Sequence, residues 1–278
     1  DFKFSSYIIS LLPKNYQTDL RPLDENPETP IYSLHLTDGN DLNIQAQVKD
    51  PGLAGKIPAI LLLGGMMTGK KAVEYAYNVD SVLLIAPDYP YTVKSHYSFW
   101  DIMKDLSGAH QALHMQIRDN LVLLDYLRHW DRIDTSRISM IGYSFGVPFA
   151  CATAALDQKL NGLALIYGGA GLKQLLRINF KLYRPFLNRI LIELFWFFIS
   201  DFEPAVRVHQ LKPLPLLCIN GEFDAKIPKE LARALHDQIP FPKTVIWLAS
   251  DHVHPNNKTL NLDIIQHLKE WYHVHRLD

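Results

Sequence analysis

The sequence predicts an α/β fold in which a mostly parallel sheet is covered by helices on both faces. Three observations carry that expectation: an early antiparallel hairpin, a later alternation of short apolar runs with helical stripes, and runs that are apolar throughout. Residues 31–37 and 42–48 flank the turn cluster Asp38-Gly39-Asn40 and read as the hairpin. The apolar runs at 57–63, 81–86, 137–141, 162–167, 214–219 and 244–248 do not alternate with polar residues, as expected of strands buried on both faces.

Helices are expected between these runs. Leu113, Ile117, Leu121, Leu124 and Leu127 recur at steps of three and four, which puts them on one helical stripe. Residues 228–238, with Leu231 and Leu235, and 260–272, with Ile264, Leu268 and Trp271, show the same spacing. Strands separated by helices imply parallel crossovers. Residues 171–212 break the alternation and read as an inserted helical cap. Residues 1–29 precede the first strand signal and read as an N-terminal extension to one domain over 30–278.

Composition narrows the class. Of the 278 residues, 48% are hydrophobic and 21% charged, which suits a globular enzyme rather than a disordered chain. A formal net charge of −1 provides no field to recruit nucleic acid or anionic lipid, so no nucleic-acid partner is expected. The most apolar stretch, 190–199, contains Glu193 and is far shorter than the roughly 20 residues a membrane span needs. It reads as a buried or lid helix. Cys151 and Cys218 read as core residues, and the lack of a disulfide framework leans toward a reducing compartment. The chain begins at Asp1 without a methionine, so a removed leader is compatible with it and the compartment stays open.

The chemistry is concentrated at Gly142-Tyr143-Ser144-Phe145-Gly146, where an apolar run meets a helical pattern. A G-x-S-x-G turn between strand and helix forces the serine into a tight bend that lifts its hydroxyl off the sheet edge, and side chains at the glycine positions would collide across the turn. Ser144 is the expected nucleophile. A serine hydroxyl needs a base, a carboxylate to orient that base, and donors for the oxyanion. Asp224, in Asn220-Gly221-Glu222-Phe223-Asp224 after the 214–219 run, is the expected acid, with Glu222 as its competitor. His252, just after the 244–248 run, is the expected base, with His254 as the alternative. The backbone N–H of Phe145, at a helix start, should form half of an oxyanion hole. The other half is assigned to Met66 in Gly64-Gly65-Met66, with Gly65 next.

These segments resemble the α/β-hydrolase superfamily over nearly the whole chain from about residue 30. Gly142 to Gly146 matches its nucleophile elbow, Asn220 to Asp224 the segment that supplies its acid, and Asp251-His252-Val253 the place of its histidine. The stretch 132–146, with Ala86-Pro87-Asp88-Tyr89, is most similar to the dienelactone-hydrolase and acyl-CoA-thioesterase branches. The resemblance implies an eight-stranded sheet and a mechanism without a cofactor. Gly64-Gly65 stands where many relatives carry His-Gly.

Other signals are weaker. His110 and His114 have the spacing of two metal ligands on one helix face, but Gln111 stands where a zinc-protease motif needs glutamate, so no metal is expected. Gly168-Gly169-Ala170-Gly171 lacks dinucleotide-binding spacing. The expected function is a serine hydrolase cleaving carboxylic esters or thioesters through an acyl-enzyme. An acyltransferase and an inactive ligand-binding relative are the alternatives. The partner is a small acyl substrate, and Phe195 and Trp196 of the cap are the candidates for contacting an apolar group on it.

Overall fold

The computed structural model describes residues 2–23, 30–90, 99–179 and 185–278. Among them one sheet of nine strands runs in the order β1-β2-β3-β5-β4-β6-β7-β8-β9. β1 (Gln17–Pro22), β2 (Ile31–Thr37) and β3 (Asn43–Lys49) form an antiparallel meander whose last strand pairs antiparallel with β5 (Leu83–Pro87). From β5 through β4 (Ile57–Leu63), β6 (Ile133–Tyr143), β7 (Gly162–Ile166), β8 (Leu216–Gly221) and β9 (Thr244–Leu248) all neighbours are parallel.

The sheet thus has one strand more than the eight expected. β1 is an edge strand, Gln-Thr-Asp-Leu-Arg-Pro, with only Leu20 packed against the core. An edge strand wet on most sides carries no apolar run to reveal it, and its terminal proline is tolerated there because no ladder bond is needed.

The continuous apolar runs are explained by two packed faces. Leu61, Leu63, Met140, Leu165 and Cys218 turn to one side, toward α2 (Phe99–His129), α3 (Gly146–Leu156) and α7 (Lys229–Gln238). Ile60, Leu62, Ile141, Ile166 and Ile219 turn to the other, toward α8 (Lys258–Val274). Side chains one residue apart in a strand point to opposite faces, so a strand covered on both sides must be apolar at every position. On α8, Leu260, Ile264, Leu268 and Trp271 are buried at helical spacing, and Asn257 caps its start by accepting the Leu260 N–H.

Residues 171–212 contain α4 (Leu172–Asn179), α5 (Pro185–Ile199) and α6 (Pro204–Val208). Buried Glu203 ties them down: its two carboxylate oxygens accept the N–H groups of Gly171 and Leu172, each at 2.8 Å, at the start of α4. A carboxylate at a helix N-terminus satisfies orphan donors and complements the helix dipole. At the amino end, α1 (Phe2–Ser10) buries Phe4 and Ile8 in the main core.

The strand order reverses where β4 and β6 lie side by side while β5 lies beyond β4. In open α/β sheets such a point leaves a crevice at the carboxyl ends of the strands. The loops after β4 and β6 meet there.

Candidate active site

Ser144 follows β6 directly and has φ of 48°, a left-handed backbone that a side chain other than glycine adopts only under strain. The turn is held by the Ser144 N–H donating to the Ile166 carbonyl at 2.8 Å and by the Val147 N–H returning to the Ser144 carbonyl at 3.0 Å. Both flanking glycines are sterically required. A Cβ at Gly142 would lie 2.8 Å from the Ala150 Cβ, and one at Gly146 would collide with the Leu63 carbonyl.

Three of the residues expected to act together meet in one line. The Ser144 hydroxyl lies 2.9 Å from His252 Nε2, and His252 Nδ1 lies 2.7 Å from Asp224 Oδ2. An ionised carboxylate only accepts, so Nδ1 carries the proton and Nε2 is left to accept from the hydroxyl. Asp224 is buried, and its other oxygen, Oδ1, accepts the N–H groups of Lys226 at 2.8 Å and Ile227 at 2.9 Å. These bonds fix the carboxylate plane toward the imidazole.

The two alternatives are engaged in other contacts. Glu222 is exposed and pairs with Lys229 at 2.8 Å. His254 lines the same cavity, but its Nδ1 accepts from the Asn256 N–H at 3.2 Å, and its carbonyl takes bonds from Asn257 and Asn261. It is part of the turn into α8.

Phe145 is the residue before the first turn of α3, and Met66 lies in the turn after β4. Both line the cavity beside Ser144. Among the described residues, no group accepts the backbone N–H of either. His110 and His114 each bond a backbone carbonyl through Nδ1, His114 that of His110 and His110 that of Phe198, each at 2.9 Å. Among the described residues no three His, Cys, Asp or Glu side chains are grouped to hold a metal ion.

Two tyrosines that sequence reasoning missed brace this arrangement. The Tyr89 hydroxyl donates to the Gly64 carbonyl, and its ring packs edge-on against Phe145 at 5.1 Å, so one side chain links the turn after β4 to the elbow. Tyr167, with φ of 54°, bonds through its hydroxyl to Ser250 and lies edge-on to the His252 ring at 5.7 Å. Asn220 and His236 add a buried brace under the acid loop. Asn220 Nδ2 donates to the Gly168 carbonyl at 2.9 Å, which leaves its oxygen to accept from His236 Nε2 at 3.0 Å. Burial pushes the His236 pKa down to about 4, so it stays neutral. The only sequence signal for Tyr89 and Tyr167 was their position just past a strand end.

A cavity of about 970 Å³ opens around Ser144 and His252. From residues 171–212 it is lined by Leu172, Leu175, Leu176, Asn179, Ile199 and Phe202. Phe195 and Trp196, expected to contact substrate, are half-buried on α5 and are not among its lining residues. α5 meets the cavity at its last residue, Ile199, one helical turn beyond Phe195.

Acetyl xylan esterase 1 from Thermoanaerobacterium sp. JW/SL YS485 superposes with a TM-score of 0.70 at 15% identity, over 96% of this chain and 93% of that one. The fold is that of the α/β-hydrolases. Acetyl xylan esterase from Paenibacillus sp. R4 shares the α/β-hydrolase fold at a TM-score of 0.68 and 16% identity, over 96% and 92% of the two chains. Est1E from Butyrivibrio proteoclasticus does so at 0.59 and 17%, over 86% and 98%. Neither a protein-family model nor a curated protein matches the sequence. At these identities the likeness speaks for the α/β-hydrolase fold and does not choose among its branches.

Proposed function

We propose that the protein is a serine hydrolase that cleaves carboxylic esters through an acyl-enzyme. The observation that carries this reading is the unbroken line from the Ser144 hydroxyl through both nitrogens of His252 to Asp224. Ser144 Oγ attacks the ester carbonyl as His252 Nε2 takes its proton. Asp224 holds the imidazole in the tautomer that can do so and stabilises the imidazolium. The N–H groups of Phe145 and Met66 receive the oxyanion. His252 then passes the proton to the leaving alcohol, and the acyl-enzyme is opened by water that His252 deprotonates.

That like-folded structures include acetyl xylan esterases favours ester over amide chemistry. The apolar lining by Leu172, Leu175, Leu176 and Phe202 favours an apolar group on the substrate. A fluorophosphonate probe read by intact mass tests the reading. One adduct is expected on the wild-type protein and none on Ser144→Ala, with nitrophenyl-ester turnover lost in parallel. An adduct that persists in Ser144→Ala would sink it.

A further inference from the structure

The cavity around Ser144 has a second arm that the mechanism does not use. It runs down the face of the sheet that carries α8. Its floor is Ile60 and Leu62 of β4, Leu84 of β5 and Ile141 of β6. Leu62 is the register partner of Ile141 and Ile60 that of Leu84, so the four form a contiguous patch. One wall is Ala72, Ala76 and Val79, in and after the 3-10 helix Gly69–Tyr75; the other is Ile265, Leu268 and Tyr272 of α8. Among the described residues that short 3-10 helix is the element joining β4 to β5, and the arm lies between it and α8.

We infer that this arm is a binding slot for a long unbranched hydrocarbon chain of the ester substrate. The inference rests on the hydrolase reading of Ser144, and three features support it.

The first is continuity and length. One cavity joins Ser144 and His252 to Ile60, whose register partner on β6 is Ser139. Ser144 lies five residue steps beyond Ser139 along β6 and its end, roughly 16 Å at the usual strand rise. That depth exceeds what an acetyl group uses.

The second is width. The floor residues are only 4% (Ile60), 5% (Leu62), 3% (Leu84) and 5% (Ile141) exposed, although they line the cavity. A groove wide enough for a docked helix or strand would leave them open to water. The walls are also tied together: Lys269 Nζ donates to the Asn78 carbonyl at 2.5 Å, and Lys258 Nζ lies 5.3 Å from the centre of the Tyr77 ring.

The third is chemistry. Most polar groups along the slot are already paired. The Tyr272 hydroxyl bonds to Ser139 Oγ at 2.8 Å, and the Asn261 amide donates to the carbonyls of His254 and Pro255. A sugar or charged group would find few free partners there beyond the Tyr143 hydroxyl, whereas methylenes lose nothing on entry. The far end, at Ser81, Lys269, Glu270, His273 and Asp278, is polar.

The chain could belong to the acyl or the alcohol half of the ester, and the test separates the two. The ratio kcat/KM is measured for p-nitrophenyl esters from acetyl to hexadecanoyl and for n-alkyl acetates from methyl to dodecyl. A fully buried methylene is worth about fourfold, so one series is expected to rise at least tenfold between its shortest member and eight carbons. The series that rises names the half. Ala76→Trp on one wall should flatten it, and Ile265→Trp on the other should do the same, so the test survives if one variant does not fold. Flat or falling values in both wild-type series overturn the slot, as does a rise that both folded variants leave intact. The slot is also tested apart from catalysis by dodecanoate binding to Ser144→Ala, followed calorimetrically. The further change Ala76→Trp should weaken that binding at least tenfold, and absence of binding overturns the proposal. Loss of all ester cleavage together with absence of a probe adduct would instead overturn the hydrolase reading alone.

Discussion

At the scale of single residues, the site depends on backbone held where it would not rest by itself. A left-handed Ser144 costs on the order of 1–3 kcal/mol, and the surroundings over-determine it through bonds to Ile166 and Val147 and the bare glycines at 142 and 146. The Asp224 carboxylate is held by equally local means, the N–H groups of Lys226 and Ile227. Replacing Asp224 with Asn keeps the shape but offers an amide where an acceptor is needed, which favours the wrong imidazole tautomer. Asp224→Asn is therefore expected to lower kcat by about 10⁴-fold with little change in KM, measured on a nitrophenyl ester. Tyr89→Phe should act differently. It removes the bond to the Gly64 carbonyl but keeps the ring against Phe145, so we expect a loss of about 1 kcal/mol of stability and a fall in kcat that exceeds any change in KM. Equal loss in both parameters would assign Tyr89 to substrate binding instead.

At the scale of elements, the loops that carry the acid and the base are anchored from below by α7. His236 of α7 donates to Asn220 at the end of β8, inside the core. Its pKa is pushed from the ordinary value near 6.5 down to about 4 by burial. Between those values the unfolded chain binds the proton and the folded chain does not, so stability is lost as pH falls through that window and regained as it rises. Lowering the pH from 7 to 5 should cost about 2 kcal/mol through this one group. Urea titrations of wild type and His236→Gln at the two pH values isolate it: the gap between the proteins should change by that amount, and a constant gap would refute the assignment. The elements themselves were largely readable in advance. α2, α7 and α8 lie where apolar residues recur at helical spacing, and the interior strands lie where apolar runs are continuous. β1 was not readable, because an edge strand of Gln, Thr, Asp and Arg has no buried pattern.

At the scale of the whole molecule, the amino-terminal segment read as an extension is packed into the body. Ile8 is fully buried, Phe4 lies under the Arg207 guanidinium at 3.8 Å, and both belong to the main core. Ile8→Ala should therefore destabilise the protein by about 2–5 kcal/mol, as deletion of a core side chain does, measured by denaturant unfolding. A loss below about 0.5 kcal/mol would mark α1 as a loosely attached appendage. The same scale decides the shape of the cavity. Its cap arm depends on α4, held by Glu203, and its sheet arm on the gap between a short 3-10 helix and α8. Neither arm corresponds to a run of residues.

What the amino-acid order determined by itself was local. The strand-turn-helix around Ser144, the two glycines it needs, the interior strands and the α2, α7 and α8 stripes all follow from sterics and burial periodicity over a few neighbouring residues. Tertiary structure decided the rest. Only the strand order brings His252 to Ser144 across 108 residues and Asp224 to His252 across 28, and only that packing sets Glu222 and His254 aside. The tyrosine braces, the edge strand and the slot beneath α8 are likewise products of contact between distant segments. Short-range patterns record which side a residue faces, and they hold no record of which remote segment will meet it there.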